Sequence, residues 1–260
     1  MFRKFISLVL ALVLILSTGI NVLAADTNSK ELWYVQKDGD NKIYLQNSKT
    51  GEQILEAVRF DEAGNAVNVD LVEYASTLNN TLNNKQLIDQ LEQKSSISKN
   101  FQLTNTPSYS PYSGGLTTVN TYTETTEFLA QGGTQKVTAD VIGPASVSFG
   151  NSVSTTETFS WNINLTSAEI RNLVKVAVAF NWIKSSSSNS VFGVVYPVPA
   201  GKTGYISFTP YIYCTYGTIR QTSYDPLGNI LLDKTVAGNG SCPKLLPTGF
   251  TDGVFELRTR

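Results

Sequence analysis

Residues 145–165 read ASVSFGNSVSTTETFSWNINL, and this stretch decides the fold class. Every even position in it holds a small polar residue or glycine, whereas most odd positions are apolar. A period of two predicts β-strand, because successive side chains of a strand point to opposite faces. The polar face carries hydroxyl and amide groups and no Lys. This composition suits a solvated sheet face or the inner wall of a β-pore.

The flanking segments predict more strands. Residues 134–141, 174–182 and 206–216 alternate in the same way, and the short apolar run at residues 191–196 adds a further strand. A capping box from Thr166 to Glu169 predicts one helical turn before residue 174. We therefore expect a mainly β protein, with an antiparallel β-sandwich or an elongated β-sheet over residues 117–260.

Residues 26–100 predict a small α+β region. Three short strands separated by Asp-Gly and Thr-Gly turns form a meander, and Leu71, Ala75, Leu78 and Leu82 then recur at helical spacing. This pattern predicts one helix, or two that are separated near Asn83. The region carries 20 charged residues, whereas residues 101–199 carry 9, and a Pro/Gly/Ser-rich stretch at 101–116 predicts a linker at this change.

One turn pattern occurs twice, as FDEAGNA at residues 60–66 and as YDPLGNI at residues 224–230. Both copies place an Asp three residues before a Gly-Asn pair. This spacing predicts a tight reversal in which the Asp carboxylate accepts backbone N–H bonds and the Gly takes a positive φ.

The first residues predict export. Arg3 and Lys4 precede an apolar run, and small residues before Asp26 offer a cleavage site near Ala24 or Ala25. The run is shorter than the roughly 20 residues of a transmembrane helix, which argues against a retained anchor. We expect residues 1–25 to be a signal peptide and the mature protein to be secreted.

Charge and cysteine content limit the function further. The net charge is −1 and no basic cluster occurs, so nucleic acid is not an expected partner. Cys214 and Cys242 are the only cysteines, and an even number in an exported chain predicts a disulfide.

Catalysis has little support in the sequence. The chain has no His, which removes histidine-based triads and most zinc sites. Carboxylates such as Glu124, Glu127, Asp140 and Glu157 offer a glycosidase pair only if the fold brings two of them together. We expect no enzyme activity, no metal and no cofactor, and keep a carboxylate-dependent secreted hydrolase as the last alternative.

Three tyrosines offer a binding surface. Tyr205, Tyr211 and Tyr213 share one parity of a predicted strand, with Ser207 and Thr209 between them. Such a face suits a glycan or a protein partner, and the alternative is that the rings cover a second layer of the fold.

The 145–165 stretch also permits an amphipathic membrane hairpin. A three-residue loop at Gly150–Ser152 keeps the apolar side chains on one side. These are Val147, Phe149, Val153, Phe159, Trp161 and Ile163. Thr155 and Glu157 lie on the same side and count against insertion, because a carboxylate facing lipid is costly.

The Ser/Thr-rich strands and the VPAGKTGYI segment at residues 198–206 carry a family resemblance. Over residues 117–220 the chain resembles uncharacterised secreted bacterial β-rich proteins, and distantly the aerolysin and epsilon-toxin-like pore formers. The latter resemblance implies a soluble monomer that binds a receptor, oligomerises and inserts a β-hairpin into a membrane.

The sequence thus predicts a secreted, non-catalytic β-rich protein that binds a glycan, a cell wall or a protein partner at an extracellular surface. The alternative is an aerolysin-like pore former in which residues 145–165 insert into a membrane after oligomerisation.

Overall fold

The first strands form the predicted meander. Alternating apolar residues and Asp-Gly or Thr-Gly turns give four strands, which pair antiparallel in chain order: β1 (Trp33–Lys37), β2 (Ile43–Asn47), β3 (Gln53–Phe60) and β4 (Ala66–Asn68).

The computed structural model describes residues 31–97, 115–188 and 193–260. The predicted signal peptide and nearly all of the predicted linker lie outside these residues.

One continuous helix, α1 (Leu71–Ile97), follows the meander. Asp70 caps its start, because the Asp70 carboxylate accepts from the backbone N–H groups of Val72 (2.7 Å) and Glu73 (3.1 Å). Asn79 fixes the helix to the sheet edge by hydrogen bonds to both backbone groups of Trp33, at 2.8 and 3.0 Å. The predicted apolar stripe packs on the meander, in a core with Leu45, Ile54 and Val254.

The rest of the chain is mostly strand. Its elements are β5 (Thr117–Gln131), β6 (Gln135–Lys136), β7 (Val141–Ile142), β8 (Ala145–Phe149), β9 (Ser154–Thr156), β10 (Thr158–Phe159), α2 (Ser167–Lys175), β11 (Ser185–Ser187), β12 (Val194–Val198), β13 (Thr203–Tyr224), β14 (Ile230–Pro243) and β15 (Gly253–Thr259). The fold is mainly β with an α+β N-terminal region, which confirms the predicted fold class.

The last strand joins the two parts of the large sheet. The described strands run in the order β1-β2-β3-β15-β13-β14-β10, and β5, β6 and β7 also pair with β13. All seven residues of β15 are buried, and they pair antiparallel with β3 on one side and with β13 on the other. Residues Leu32–Arg260 cluster as one compact unit.

The repeated turn pattern forms the same turn twice. Asp61 accepts backbone hydrogen bonds from Ala63 (2.9 Å) and Asn65 (2.7 Å), and Asp225 accepts them from Leu227 (2.9 Å) and Asn229 (2.8 Å). The glycines at the fourth position of the two turns have φ values of 84° and 85°. Both predictions for this pattern are confirmed.

The 145–165 stretch does not form a hairpin. Its strand β8 pairs with β12, β9 with β11 and β10 with β14, so the two halves of the stretch never pair with each other. The apolar residues also divide between two cores. Val147, Phe149 and Val153 pack with Phe208 and Phe255, whereas Phe159, Trp161 and Ile163 pack with α2 and β14.

The predicted strand at 174–182 is wrong. The helix α2 continues to Lys175 and the chain then turns irregularly, so that Val174 is buried while Val176 is 86% exposed. The capping box at its start is confirmed and the helix is longer than the single turn that it predicted.

The predicted disulfide between Cys214 and Cys242 is not formed, and both thiols are free and buried. Cys242 lies opposite Tyr213 in the β13–β14 pair, so Cys214 projects from the other face of the sheet. Burial raises the pKa of Cys214 to about 12 and that of Cys242 to about 11.

Candidate functional site

A cleft of about 690 Å³ lies between the start of α2 and the β9–β11 pair. Hydroxyl groups, one aromatic ring, one carboxylate and two cationic side chains line it: Thr156, Glu157, Phe159, Thr166, Ser167, Ala168, Arg171, Lys184 and Ser185. The sequence singled out three of these residues, Glu157, Phe159 and Thr166, and placed none of them in a common site.

Glycines in β14 form the base beneath this cleft. A Cβ atom at Gly240 would lie 2.9 Å from the Trp161 ring and 3.0 Å from the Trp182 ring. The bare backbone at this position lets both indole rings lie close against the strand. The Trp161 Nε1–H group donates to the backbone oxygen of Gly217 (3.1 Å), which fixes the ring on the sheet.

An aromatic stack runs from the cleft along this side of the sheet. The Phe159 ring lies parallel to Trp182, at 5.6 Å between centroids and 8° between planes. Phe180 stacks on Trp182 at 5.8 Å and on Tyr213 at 4.7 Å. Phe180 and Tyr213 line a smaller cleft of about 320 Å³. The stack fixes the orientation of Phe159, which borders the larger cleft.

Glu157 organises the polar side of the cleft. Its carboxylate accepts two hydrogen bonds from Arg171 Nε, at 2.8 and 3.1 Å, another from Arg171 Nη2, and one from Trp182 Nε1 at 2.8 Å. Burial disfavours the charged form, but the hydrogen bonds from Arg171 and Trp182 outweigh it and lower the pKa of Glu157 below its ordinary value. Glu157 is therefore an ionised acceptor at neutral pH.

The capping box shapes the other wall. Thr166 Oγ1 accepts from the Glu169 backbone N–H at 3.2 Å, and the Glu169 carboxylate accepts from the Thr166 backbone N–H at 2.7 Å. The hydrogen bonds that the Glu169 carboxylate accepts from the backbone N–H and the hydroxyl of Thr166 lower the pKa of Glu169. The box holds Ser167 and Ala168 at the rim, opposite Thr156 and Ser185.

Residues 99–229 match a family of unknown function, DUF6060, over half of the chain. The chain belongs to DUF6060. No curated protein and no solved structure matches it. All residues that line the cleft fall inside the part of this DUF6060 protein that the family model matches.

The three predicted tyrosines do not form one surface in the DUF6060 protein. The Tyr205 hydroxyl donates to Glu52, Tyr211 lies beneath the cationic groups of Arg59 and Lys244, and Tyr213 stacks on Phe180. Burial raises the pKa of Tyr205 and that of Tyr211. Each ring thus serves a different contact, and only Tyr213 lines one of the two clefts described above.

A second polar cluster lies deep inside the protein, between α1 and the centre of the sheet. Glu256 is fully buried and accepts hydrogen bonds from Ser207 Oγ (2.8 Å), Thr209 Oγ1 (3.1 Å), Arg258 Nε (2.6 Å) and the Tyr74 hydroxyl. Burial beside Glu256 raises the pKa of Tyr74 well above its ordinary value. This cluster is closed to solvent and contributes to the core.

Arg258 extends this cluster towards the meander. Its Nη1 donates to Glu52 at 2.6 Å, its Nη2 to Thr134 at 3.3 Å, and its guanidinium lies 5.3 Å from the centre of the Trp33 ring. All three guanidinium nitrogens thus have acceptors. The cluster joins β1, β3 and α1 to β13 and β15.

Of the carboxylates considered for catalysis, Glu124 and Glu127 lie within hydrogen-bonding reach of each other, and burial together with the Glu127 charge raises the pKa of Glu124. Glu124 also accepts from Thr215 at 3.0 Å, and neither of these two carboxylates lines the cleft beside α2. Asp140 pairs with Lys136 and Arg260. Among the described residues, no cluster of three or more His, Cys, Asp or Glu side chains could hold a metal ion. Within the same residues, neither helix combines the length and the apolar character of a transmembrane span.

Proposed function

We propose that the protein is a secreted, non-catalytic carbohydrate-binding protein that attaches to an extracellular surface through the cleft beside α2. The observation that carries this proposal is the position of Phe159, a ring stacked on Trp182 and surrounded by hydroxyl groups and the Glu157–Arg171 pair. A sugar ring has an apolar face and a rim of hydroxyl groups, so an aromatic ring edged by donors and acceptors complements both.

The charge state of the cleft supports binding rather than hydrolysis. Glycoside hydrolysis needs two carboxyl groups, one of them protonated as the acid. Glu157 is the one carboxylate among the described lining residues, and Arg171 holds it ionised. The site thus offers a fixed acceptor and no acid of raised pKa.

The proposal is tested by affinity electrophoresis of the purified protein in gels that contain soluble plant and bacterial polysaccharides. Phe159→Leu keeps an apolar side chain over Trp182 but removes the aromatic ring. We expect this variant to bind the retarding polysaccharide with about tenfold lower affinity than the wild-type protein. Tyr34→Ala, which removes a half-exposed ring from β1, is the matched control. Failure of every polysaccharide to retard the wild-type protein, or equal retardation of Phe159→Leu and Tyr34→Ala, overturns the proposal.

A further inference from the structure

We infer that the cleft selects glycans that carry an anionic group, and that Lys184 determines this preference. This inference rests on the proposed function and specifies its ligand class. Three charged side chains line the cleft, namely Glu157, Arg171 and Lys184. The net charge of these three side chains is +1, and the position of the positive charge within the cleft determines which ligands the cleft can bind.

The Glu157–Arg171 pair is internally balanced. The carboxylate and the guanidinium face each other through three hydrogen bonds, and the Glu157 side chain is only 8% exposed. Arg171 donates to Glu157 through Nε and Nη2. Its Nη1 group makes no hydrogen bond within the described residues. The Glu157 carboxylate thus neutralises the charge of Arg171, while the Nη1 group of Arg171 can still donate hydrogen bonds to a ligand.

Lys184 supplies the charge that is not balanced. Its side chain is exposed at the rim of the cleft and forms no ion pair within the described residues, although its charge lies near enough to Glu157 to help lower the pKa of that carboxylate. Its backbone position is fixed, because its carbonyl oxygen accepts from the Glu157 N–H at 2.8 Å and the next residue begins the β11–β9 pair. Lys184 and Arg171 both line the cleft, so both cations face a ligand that occupies it.

The donors around these cations match an oxyanion on a polyhydroxylated chain. Thr156, Ser167 and Ser185 add hydroxyl groups to the ammonium and the guanidinium, and Phe159 adds the apolar contact for a ring. A carboxylate, as in uronic acids, and a phosphodiester, as in polyol phosphates, share this chemistry. Neutral glycans satisfy the hydroxyl groups and the ring but leave Lys184 without a partner.

The test compares three polymers in the same gel assay: a neutral glucan, a polyuronate and a polyol phosphate. At low salt we expect the better of the two anionic polymers to bind about three- to tenfold more tightly than the glucan. Lys184→Gln abolishes this preference, so that the anionic polymers bind no more tightly than the glucan, whereas Phe159→Leu weakens the binding of every polymer. Lys175→Gln, an exposed lysine in the last turn of α2 that does not line the cleft, is the matched control.

The outcomes separate the two proposals. Equal binding of neutral and anionic polymers by the wild-type protein overturns the charge preference and leaves the carbohydrate site, and so does a preference that Lys184→Gln retains. Binding of no polymer overturns both. A preference for polyuronate or for polyol phosphate identifies which oxyanion the site takes.

Discussion

Two glutamate–arginine ion pairs in this protein form the same kind of hydrogen bonds but differ in their exposure to solvent. Glu256 and Arg258 lie in the core, where their side chains are 0% and 9% exposed, and both carboxylate oxygens of Glu256 and all three guanidinium nitrogens of Arg258 have hydrogen-bond partners. Glu157 and Arg171 are 8% and 23% exposed, and one edge of the guanidinium faces a cleft. A closed network holds elements together, whereas a pair with unused donors can accept a ligand.

The largest expected effect comes from breaking the closed pair. Arg258→Met leaves Glu256 buried without its cation, and we expect a loss of about 3–5 kcal/mol in the free energy of unfolding, measured with guanidinium chloride. The double variant Glu256→Gln/Arg258→Met removes the uncompensated charge and should recover part of the loss. A loss below about 1 kcal/mol for Arg258→Met would show that water reaches Glu256 and that the pair is not closed.

A smaller loss of stability is expected from a substitution in β14, the strand against which Trp161 and Trp182 pack. Gly240→Ala places a Cβ atom against Trp161, Trp182 and Phe159, and we expect a loss of about 2 kcal/mol in the free energy of unfolding. Gly133→Ala, where the same atom meets open space, is the control. Trp182 donates to Glu157, so the variant should also weaken glycan binding; unchanged binding would mean that the rings do not position the cleft.

The smallest expected effect is the change with pH in the stability that the Glu157–Arg171 pair contributes. The pKa of Glu157 is lowered in the folded protein, so its stabilising contribution is present above the ordinary value of 4.5 and is lost as the pH falls through the folded value. The difference in stability between wild type and Glu157→Gln, followed by tryptophan fluorescence, should be about 1 kcal/mol at pH 7 and should shrink below pH 4.5. A difference that grows on acidification contradicts this assignment.

Local patterns in the sequence predicted local structure well. The two Asp-x-x-Gly-Asn turns and the capping box of α2 form as expected, because each depends on hydrogen bonds within a few residues. The meander also follows from its short strands and turn residues, and α1 follows from helical spacing, which left open whether the segment forms one helix or two.

Partners distant in the sequence were not predictable. Alternation predicted strands in residues 145–165 but not which strands they join; it permitted a hairpin as an alternative, whereas three separate pairings occur. Period two also failed after α2, where the apolar residues form part of an aromatic stack in irregular chain. The closed network draws on residues as far apart as Glu52 and Arg258, and no local pattern connects them.

One signal for the cleft was present in the sequence. Glu157 interrupts the apolar parity of its stretch, and a carboxylate at a buried position requires partners. Its partners, Arg171 and Trp182, come from the middle of α2 and from an irregular segment, and only the fold determines where these two lie. Lys184, in turn, carries no sequence signal that separates it from other exposed lysines.

The position of β15 makes the fold depend on the order of synthesis. This strand fills the gap between β3 and β13, and it follows every other described strand in the chain. Until residues 253–259 are synthesised, β3 and β13 lack the strand that pairs with both of them. Unpaired strand edges of this kind favour aggregation. The nascent chain must therefore be kept from pairing with other chains until those last residues arrive.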